Sequence, residues 1–387
     1  MPAKANSLES LFVSDSVEKA DRALIPDSLA MIDSVALQKT EGADSLDFDV
    51  DSRSELMKAD KDSISISLIG VGDIMLGTNY PSSQYLPAGH DCMPLLSRVS
   101  SVLRNADLTI GNLEGCISDH APLAKNCKKP ENCYAFRMPN KFAACFKENG
   151  FDVLTLANNH VFDFGEEGVR HTKIALDKDS IIYAGLENHP VGFIQRKGLL
   201  IGICAFSPNR GTISINDIPR AEKIVHQLKD TADIVIVTFH GGAEGNKYQR
   251  VTREKEVFLG ENRGNVYEFS HKVVDAGADI VIGHGPHVPR GIELYNDRLI
   301  SYSLGNFCTY GRFNLRGANG LAPILKAELM ADGRLKKAEI ISYVQKSAGI
   351  VYADPDNKAA KLIRELSKLD FPESNLLIKE TGEILIP

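Results

Sequence analysis

This 387-residue chain has no net positive charge, no long apolar run and few cysteines. The net charge is −7, and no broad basic region could neutralise phosphates, which argues against nucleic acid as the main partner. No stretch is long and apolar enough to predict a transmembrane segment. Seven cysteines are too few for a disulfide scaffold. The sequence also lacks a Gly-rich phosphate loop and a Gly-x-Ser-x-Gly nucleophile elbow, so neither kind of site is expected.

The amino terminus and the cysteines give two weaker indications about compartment. The first residues as given lack a basic start followed by an apolar core, so they predict no signal peptide. Cys127 and Cys133 flank a polar loop and could close a small disulfide ring, or could equally be two reduced surface cysteines. A zinc knuckle is less favoured there, because no second nearby pair completes four ligands.

The negative charge is concentrated at the start of the chain. Residues 1–62 hold 14 Asp or Glu against 7 Lys or Arg, whereas the remainder is balanced. This segment is rich in Ser, Asp and Ala, and its helical periodicity is weak. We therefore expect residues 1–62 to be an acidic, disordered arm that the fold does not need.

From Ile64 onward, apolar runs that favour strands alternate with helical patterns. The predicted strands are 64–71, 108–111, 152–156, 181–184, 199–205, 233–239, 279–282, 291–295 and 299–304. The predicted helices are 92–104, 140–149, 166–178, 219–229 and 265–276. This alternation predicts an α/β fold with right-handed βαβ units and a largely parallel, buried sheet. After about residue 320, the pattern predicts an antiparallel hairpin over 323–344 and a late helix over 357–369.

Polar residues that can bind metal follow several of these strands directly. Groups just past the carboxyl ends of strands converge on one crevice in an α/β sheet. Imidazole and carboxylate groups that converge there suit zinc, manganese or iron. The candidates are Asp73, Glu114, Asn159, His240, His284 and His287.

Two of these motifs indicate a specific role. His284-Gly285-Pro286-His287 places two imidazoles on a rigid turn after a buried strand, which packing does not easily explain. In Asn158-Asn159-His160, an amide oxygen could bind the metal while the imidazole donates a proton to a leaving group. Asn306 could line the same crevice or serve a turn. The remaining histidines are expected to be ordinary surface or hydrogen-bonded residues.

Six motifs, taken in order, resemble the bacterial capsule synthesis protein CapA family, which is tied to poly-γ-glutamate capsule formation. That family belongs to the wider calcineurin-like metallophosphoesterases, and the resemblance covers about residues 64–310. It implies a four-layer α/β/β/α sandwich with metals at one edge of two facing sheets. We expect this domain to span 63–345, with a C-terminal extension over 346–387 packing on it. The motifs are Gly72-Asp73-Ile74-Met75, Asn112-Leu113-Glu114, Asn158-Asn159-His160, His240 with Glu244, Gly283-His284-Gly285-Pro286-His287-Val288 and Ser303-Leu304-Gly305-Asn306-Phe307.

The resemblance also implies roles for individual residues. His160 would be the catalytic proton donor or oxyanion stabiliser. The cofactor would be one or two divalent metal ions, Mn, Zn or Fe. The implied metal ligands are Asp73, Glu114, Asn159, His240, His284 and His287.

The chain departs from the wider superfamily at three positions. Met75 stands where an Asp-x-His motif has its histidine, and Asn112 stands where a Gly-Asp pair has its aspartate. One extra residue separates His284 from His287.

The implied chemistry is metal-dependent hydrolysis. The substrate would be a small molecule or a polymer, cut at a phosphoester or at a γ-glutamyl amide. The alternative is a non-catalytic component of a polymer assembly or export complex, with a degenerate metal site and other capsule-assembly proteins as partners. An extracytoplasmic or membrane-associated location is favoured by the resemblance.

Overall fold

A computed structural model of the chain describes residues 63–126, 134–346 and 348–386. The predicted arm, 1–62, and both Cys127 and Cys133 lie outside these ranges. The β-strands are β1 (Ser65–Met75), β2 (Leu108–Leu113), β3 (Cys116–Ile117), β4 (Arg137–Met138), β5 (Val153–Thr155), β6 (Ile182–Ala184), β7 (Val191–Arg196), β8 (Leu199–Phe206), β9 (Ile234–His240), β10 (Glu256–Phe258), β11 (Glu261–Gly264), β12 (Ile280–His284), β13 (Ile292–Tyr295), β14 (Arg298–Ser301), β15 (Asn306–Thr309), β16 (Ile324–Met330), β17 (Leu335–Ile341), β18 (Tyr343–Lys346), β19 (Ile350–Ala353), β20 (Leu377–Ile378) and β21 (Glu383–Leu385).

The α-helices alternate with the strands in the first two thirds of the described chain. They are α1 (Met93–Leu96), α2 (Ser100–Leu103), α3 (Phe142–Glu148), α4 (Gly165–Lys178), α5 (Ile218–Lys229), α6 (Val266–Asp275) and α7 (Lys358–Asp370). None of these described helices has both the length and the apolar composition that a bilayer crossing requires. The predicted helix over 92–104 is wrong as a single element. Helix α1 begins at Met93, has Pro94 in its first turn and stops at Leu96, and α2 starts only at Ser100.

Two sheets carry the fold. Among the described residues, the first sheet has nine strands, in the order β20-β21-β17-β16-β1-β2-β5-β6, with β15 paired to the end of β1. Strands β1, β2, β5 and β6 are parallel, whereas β16, β17, β21 and β20 are antiparallel. The second sheet has the order β13-β14-β12-β9-β8-β7, and its four central strands are parallel. The predicted parallel pairing therefore holds for one half of the first sheet, from β1 to β6, and for the centre of the second sheet.

Three apolar clusters separate four layers. One cluster packs the first sheet against α3 and α4, through residues such as Phe146 and Leu176. Another packs the second sheet against α5 and α6, through residues such as Val225 and Phe269. The third fills the space between the sheets with alternate residues of both, such as Ile110 from β2 and Ile282 from β12. The expected four-layer α/β/β/α sandwich is confirmed.

The last forty residues contribute to the first sheet and to the core. Strand β21 pairs with β17, and α7 inserts Ala360 and Ile363 into the cluster between the sheets. The division of the chain at residue 345 stays a prediction. A disulfide joins Cys92 to Cys145, at α1 and α3, and links two segments that are 53 residues apart. Sequence reasoning did not identify this pair, because neither spacing nor flanking residues distinguish it.

Candidate metal centre

The carboxyl ends of five parallel strands bring the predicted site residues together. Asp73 lies near the end of β1, and Glu114 follows β2 directly. His240 and His284 are the last residues of β9 and β12, and they are register partners on adjacent strands. Asn159 follows β5. Two sheets that face each other thus contribute to one site at the same edge, as strand-end geometry requires.

Asp73 contacts two of the predicted ligands. Its Oδ2 lies 3.1 Å from Nδ1 of His287, and its Oδ1 lies 3.6 Å from Nδ1 of His284. One ligand atom from each of Asp73, His240 and His287 lies within 4.8 Å of the others. Atoms this close can bind one cation.

Gly285 allows the histidine turn to approach β9. Its φ is +109°, a conformation that favours glycine. A Cβ at this position would lie 2.9 Å from the backbone nitrogen of Gly241 and 3.2 Å from Nδ1 of His240. Any larger residue would therefore push the turn from His284 to His287 away from His240.

The buried carboxylate of Glu114 faces three imidazoles. Its Oε1 lies 3.4 Å from Nε2 of His287, 3.8 Å from Nε2 of His240 and 3.9 Å from Nε2 of His160. The side chain is fully buried. Glu114 therefore lies between the group around Asp73 and the predicted catalytic histidine.

Several buried atoms of this group have no hydrogen-bond partner within the part of the chain that the structure describes. They are both carboxylate oxygens of Glu114, both ring nitrogens of His240 and of His284, and Oδ1 of Asn159. Leaving a buried polar atom unpaired costs about 1–3 kcal/mol. Imidazole nitrogens and carboxylate oxygens are the donors that zinc, manganese and iron prefer. The residues present therefore fit a divalent metal ion.

Burial shapes the electrostatics of the group. It raises the pKa of Glu114 to about 8, lowers the pKa of His284 to about 4 and lowers the pKa of His240 well below its usual value. Burial alone would also lower the pKa of His287, but the Glu114 and Asp73 carboxylates outweigh it and raise that pKa to about 10. For Asp73, burial opposes ionisation, yet the hydrogen bond and charge of His287 keep its pKa below the usual range. The neutral imidazoles of His240 and His284 are in the form that binds metal.

The adjacent residues Asn158 and Asn159 differ in the hydrogen bonds of their side chains. Asn158 is used internally: its Nδ2 donates to Oδ1 of Asn112 at 3.1 Å and to the carbonyl of Leu113 at 2.8 Å. Its Oδ1 accepts from the backbone N–H of His160 at 3.0 Å. Asn159 has no such bond to its Oδ1 among the described residues. Of the two asparagines, Asn159 is the one whose Oδ1 lacks a hydrogen-bond partner among the described residues, and its role as a ligand stays a prediction.

His160 is held by a buried carboxylate that sequence reasoning did not assign. Its Nδ1 lies 2.6 Å from Oδ2 of Asp163, and Nζ of Lys125 lies 2.9 Å from Oδ1 of that same carboxylate. The Phe136 ring packs against the imidazole at a centroid distance of 4.3 Å. Burial lowers the pKa of His160, and the charge of Asp163 opposes that effect. The spacing of three residues from His160 to Asp163 was the available signal, since a carboxylate can fold back over one turn.

At two of the three positions that depart from the superfamily pattern, the side chain forms hydrogen bonds with neighbouring groups of the protein. The Sδ of Met75 accepts from the backbone N–H of Gly77 at 3.2 Å. Asn112 donates its Nδ2 to Oδ1 of Asp73 at 2.8 Å, and its own Oδ1 accepts from Asn158. Both side chains therefore support neighbouring groups, and neither presents a free donor atom to a metal.

A cavity of about 600 Å³ gives access to the group. Four of the predicted site residues line it, whereas the other three, Asp73, His240 and His284, are not among the described lining residues. The four are Glu114, Asn159, His160 and His287. Asn306 also lines the cavity, and its Oδ1 lies 3.1 Å from Nδ1 of His287. The buried side chain of Arg263 lines it as well, and no sequence pattern had singled that residue out.

Comparison with known proteins agrees with the resemblance. The relatives include the capsule biosynthesis protein CapA of Bacillus anthracis, 30% identical over 62% of this chain and 59% of the relative. They also include the PGA biosynthesis protein CapA of Bacillus subtilis, 28% identical over 61% of each chain. This chain thus spans about three fifths of the length of these relatives.

A solved structure and a family model complete the comparison. The 5′-nucleotidase precursor of Thermus thermophilus matches with a TM-score of 0.40 and 12% identity, over 79% of this chain and 59% of that one. At that score the likeness supports no functional argument. The model of the family described as "Bacterial capsule synthesis protein PGA_cap" matches residues 67–310, which is more than half of the chain. The chain therefore belongs to the bacterial capsule synthesis protein family PGA_cap.

Proposed function

We propose that this chain is a metal-dependent hydrolase in capsule or surface-polymer biosynthesis, acting on a phosphoester or on a γ-glutamyl amide. One observation carries the proposal. Buried ligand atoms without partners among the described residues lie beside a hydrogen-bonded His–Asp pair, at the wall of one cavity. The name of the Bacillus subtilis relative, which refers to PGA biosynthesis, supports a polymer-related substrate.

The metal would be held by the residues gathered at the strand ends. A bound divalent ion supplies a water of lowered pKa and stabilises charge on a phosphoryl or carbonyl oxygen. One or two ions of Mn, Zn or Fe suit this donor set. The residues proposed as ligands are Asp73, Glu114, Asn159, His240, His284 and His287.

His160 would move the proton that hydrolysis requires. In the reaction, the oxygen of water bonds to phosphorus or to the carbonyl carbon, and the bond to the leaving oxygen or nitrogen breaks. Nε2 of His160 would take up the proton that water releases and give it to the leaving atom. Asp163 fixes the ring through Nδ1 and stabilises its positive charge. Lys125 holds the other oxygen of Asp163 in place.

The disulfide between Cys92 and Cys145 supports a place of action outside the cytosol. Disulfides persist mainly in oxidising compartments. A surface polymer is assembled or processed on that side of the membrane, so the bond favours the extracytoplasmic location that the resemblance implied.

The test is a turnover screen on protein purified without chelators. Metal content is measured first, and then generic phosphoesters and a γ-glutamyl peptide are offered with added Mn²⁺. His160→Ala should lower turnover by about 10²–10⁴-fold and leave metal content unchanged. His226→Ala, on the exposed face of α5, is the matched control and should change neither quantity. Unchanged turnover in His160→Ala would remove this residue from the mechanism.

A second candidate function is that of a non-catalytic component in a polymer assembly or export complex. The engagement of Met75 and Asn112 in other contacts favours it, because both positions lack a free metal donor. A wild-type protein that binds metal but hydrolyses neither substrate class would favour this alternative over the hydrolase.

A further inference from the structure

Arg263 is a buried cation whose hydrogen-bonding capacity is only partly used. Its side chain is 2% exposed and lies in β11. Nη1 lies 2.8 Å from Oε1 of Glu244 and 4.0 Å from Oε2 of Glu261. Nε and Nη2 have no hydrogen-bond partner in the described ranges. A guanidinium cannot lose its charge at any accessible pH, so these buried donors are costly unless a ligand accepts from them.

The two unpaired nitrogens form one edge of the guanidinium. Nε–H and the adjacent Nη2–H point in parallel, which is the side-on arrangement that binds two oxygens of one carboxylate or phosphate. Glu244 occupies the opposite side of the group through Nη1. The edge that recognises oxyanions is therefore not occupied by any described residue.

Arg290, a buried arginine of the same region, is paired more completely, since only its Nε lacks a hydrogen-bond partner among the described residues. Arg290 is fully buried, and its Nη1 and Nη2 each donate to Glu256 at 2.8 Å. Nη2 also donates to the carbonyl of Ala243 at 3.1 Å. Arg290 thus ties the loop after β9 to β10, whereas Arg263 directs a side chain of similar burial to the cavity wall.

The position of Arg263 is fixed relative to the site. Its carbonyl accepts from the backbone N–H of Gly242 at 2.8 Å, which holds β11 against the segment that follows His240. The residue lines the same cavity as Glu114 and His287. Asn209, after β8, lines this cavity too, and its buried Oδ1 is unpaired within the described part of the chain. Amide orientation is interchangeable, so Asn209 can present its NH₂ to an anion.

We propose that Arg263, together with Asn209 on the wall of the same cavity, is the receptor for an oxyanion group of the substrate, a carboxylate or a phosphate. It acts as a specificity-determining residue and is not a metal ligand. This inference rests on the proposed function, because it gives the anionic substrate a fixed orientation against the metal group. Both substrate classes considered above carry such an oxyanion.

The test is calorimetric titration of the Mn²⁺-loaded full-length protein with two probes, inorganic phosphate and glutarate. Arg263→Gln should weaken binding of at least one probe by about 10- to 100-fold, the loss expected for a charge-assisted bidentate contact. Metal content should stay at the wild-type level. Arg316→Gln removes an exposed arginine that does not line the cavity, and it should bind both probes like the wild type.

Arg263→Lys covers the case in which the glutamine variant folds poorly. It keeps the charge but loses the side-on edge, so its affinity should fall between those of the wild type and Arg263→Gln. An effect on phosphate alone indicates a phosphoester substrate, and an effect on glutarate alone indicates a γ-glutamyl one.

Three results would overturn the assignment: wild-type affinity for both probes in the Arg263 variants, loss of metal together with loss of anion binding, or no binding of either probe by the wild type. Because the readout is binding, it is independent of turnover. A protein that binds anions through Arg263 but hydrolyses nothing would contradict the proposed function and leave this receptor standing.

Discussion

The polar residues at the two ends of β12 differ in whether their buried atoms have hydrogen-bond partners. Asp279 comes just before the strand, and both of its oxygens accept from Nζ of Lys229, at 3.0 and 2.8 Å. The backbone N–H of Val235 donates to the same carboxylate at 2.8 Å. His284, at the other end, is equally buried, yet neither ring nitrogen has a hydrogen-bond partner in the described residues. The carboxylate before β12 is therefore hydrogen-bonded within the protein, whereas the imidazole at the end of β12 is not.

Strand β2 repeats this contrast. Asp107, before the strand, accepts from both the backbone and the hydroxyl of Ser67, at 2.8 and 2.7 Å, and pairs with Lys197 at 2.7 Å. Glu114, after the strand, has two buried oxygens that lack partners in the described part of the molecule. Polar groups at the amino ends of β2 and β12 are therefore paired within the protein, whereas those at the carboxyl ends lack hydrogen-bond partners among the described residues.

The largest expected effect is on metal binding, from substitutions at the carboxyl end of β12. His284→Ala and His287→Ala should each weaken metal binding by more than about 100-fold, since even outer-shell changes at metal sites cost 10–100-fold. The apoprotein should remain folded. Thermal stability of the loaded protein should fall only by the lost binding, about 2.7 kcal/mol when metal is present at 100 times its Kd. Metal analysis and melting curves with and without Mn²⁺ measure both quantities. Wild-type metal content in either variant would contradict the assignment.

An intermediate effect is expected at the amino end of β12, where a substitution should change stability but not metal content. Asp279→Ala should destabilise the protein by about 2–3 kcal/mol, because it leaves Lys229 and the Val235 N–H without their buried acceptor. Metal content should not change. Denaturant unfolding gives the free energy, and Asp230→Ala, an exposed carboxylate at the end of α5, serves as the control. If Asp279→Ala lost metal but kept its stability, the distinction between the two ends would fail.

The smallest effect on stability is expected for the ion pair between Lys197 and Asp107, which is partly exposed to solvent. Lys197→Met removes the partner of Asp107, but the lysine side chain is 51% exposed. Exposed pairs contribute about 0–1 kcal/mol, so the free energy of unfolding should drop by no more than about 1 kcal/mol. Raising the salt concentration should reduce the difference from the wild type further. A loss as large as that of Asp279→Ala would show that solvent exposure does not decide how much these ion pairs contribute to stability.

Much of the fold was predictable because its signals are local. Apolar runs such as Ile234–Phe239 and Ile280–Ile282 are buried from both faces, and that burial is written into consecutive residues. The helix over 92–104 failed for an equally local reason, since an apolar periodicity does not report the break between Leu96 and Ser100.

The candidate site was partly predictable for a geometric reason. A residue that follows a strand must lie at the sheet edge, so the positions of His240 and His284 followed from their places in the chain. The spacing of His160 and Asp163 permits their pairing without requiring it, and no sequence pattern indicates that Arg263 lines the cavity. Each depends on how a side chain turns after the backbone has folded.

By itself, the sequence determined the alternation of strands and helices, the sheet edge at which the metal-binding residue types would gather, and the family. Only the tertiary structure decided which donor atoms are left without partners: Asn159 and not Asn158, Glu114 and not Asn112. The physical reason is that residue type and spacing set the capacity to donate or accept. Whether that capacity is already used depends on neighbours that are far away in the chain; Asp73 and Gly285, for example, are 212 residues apart.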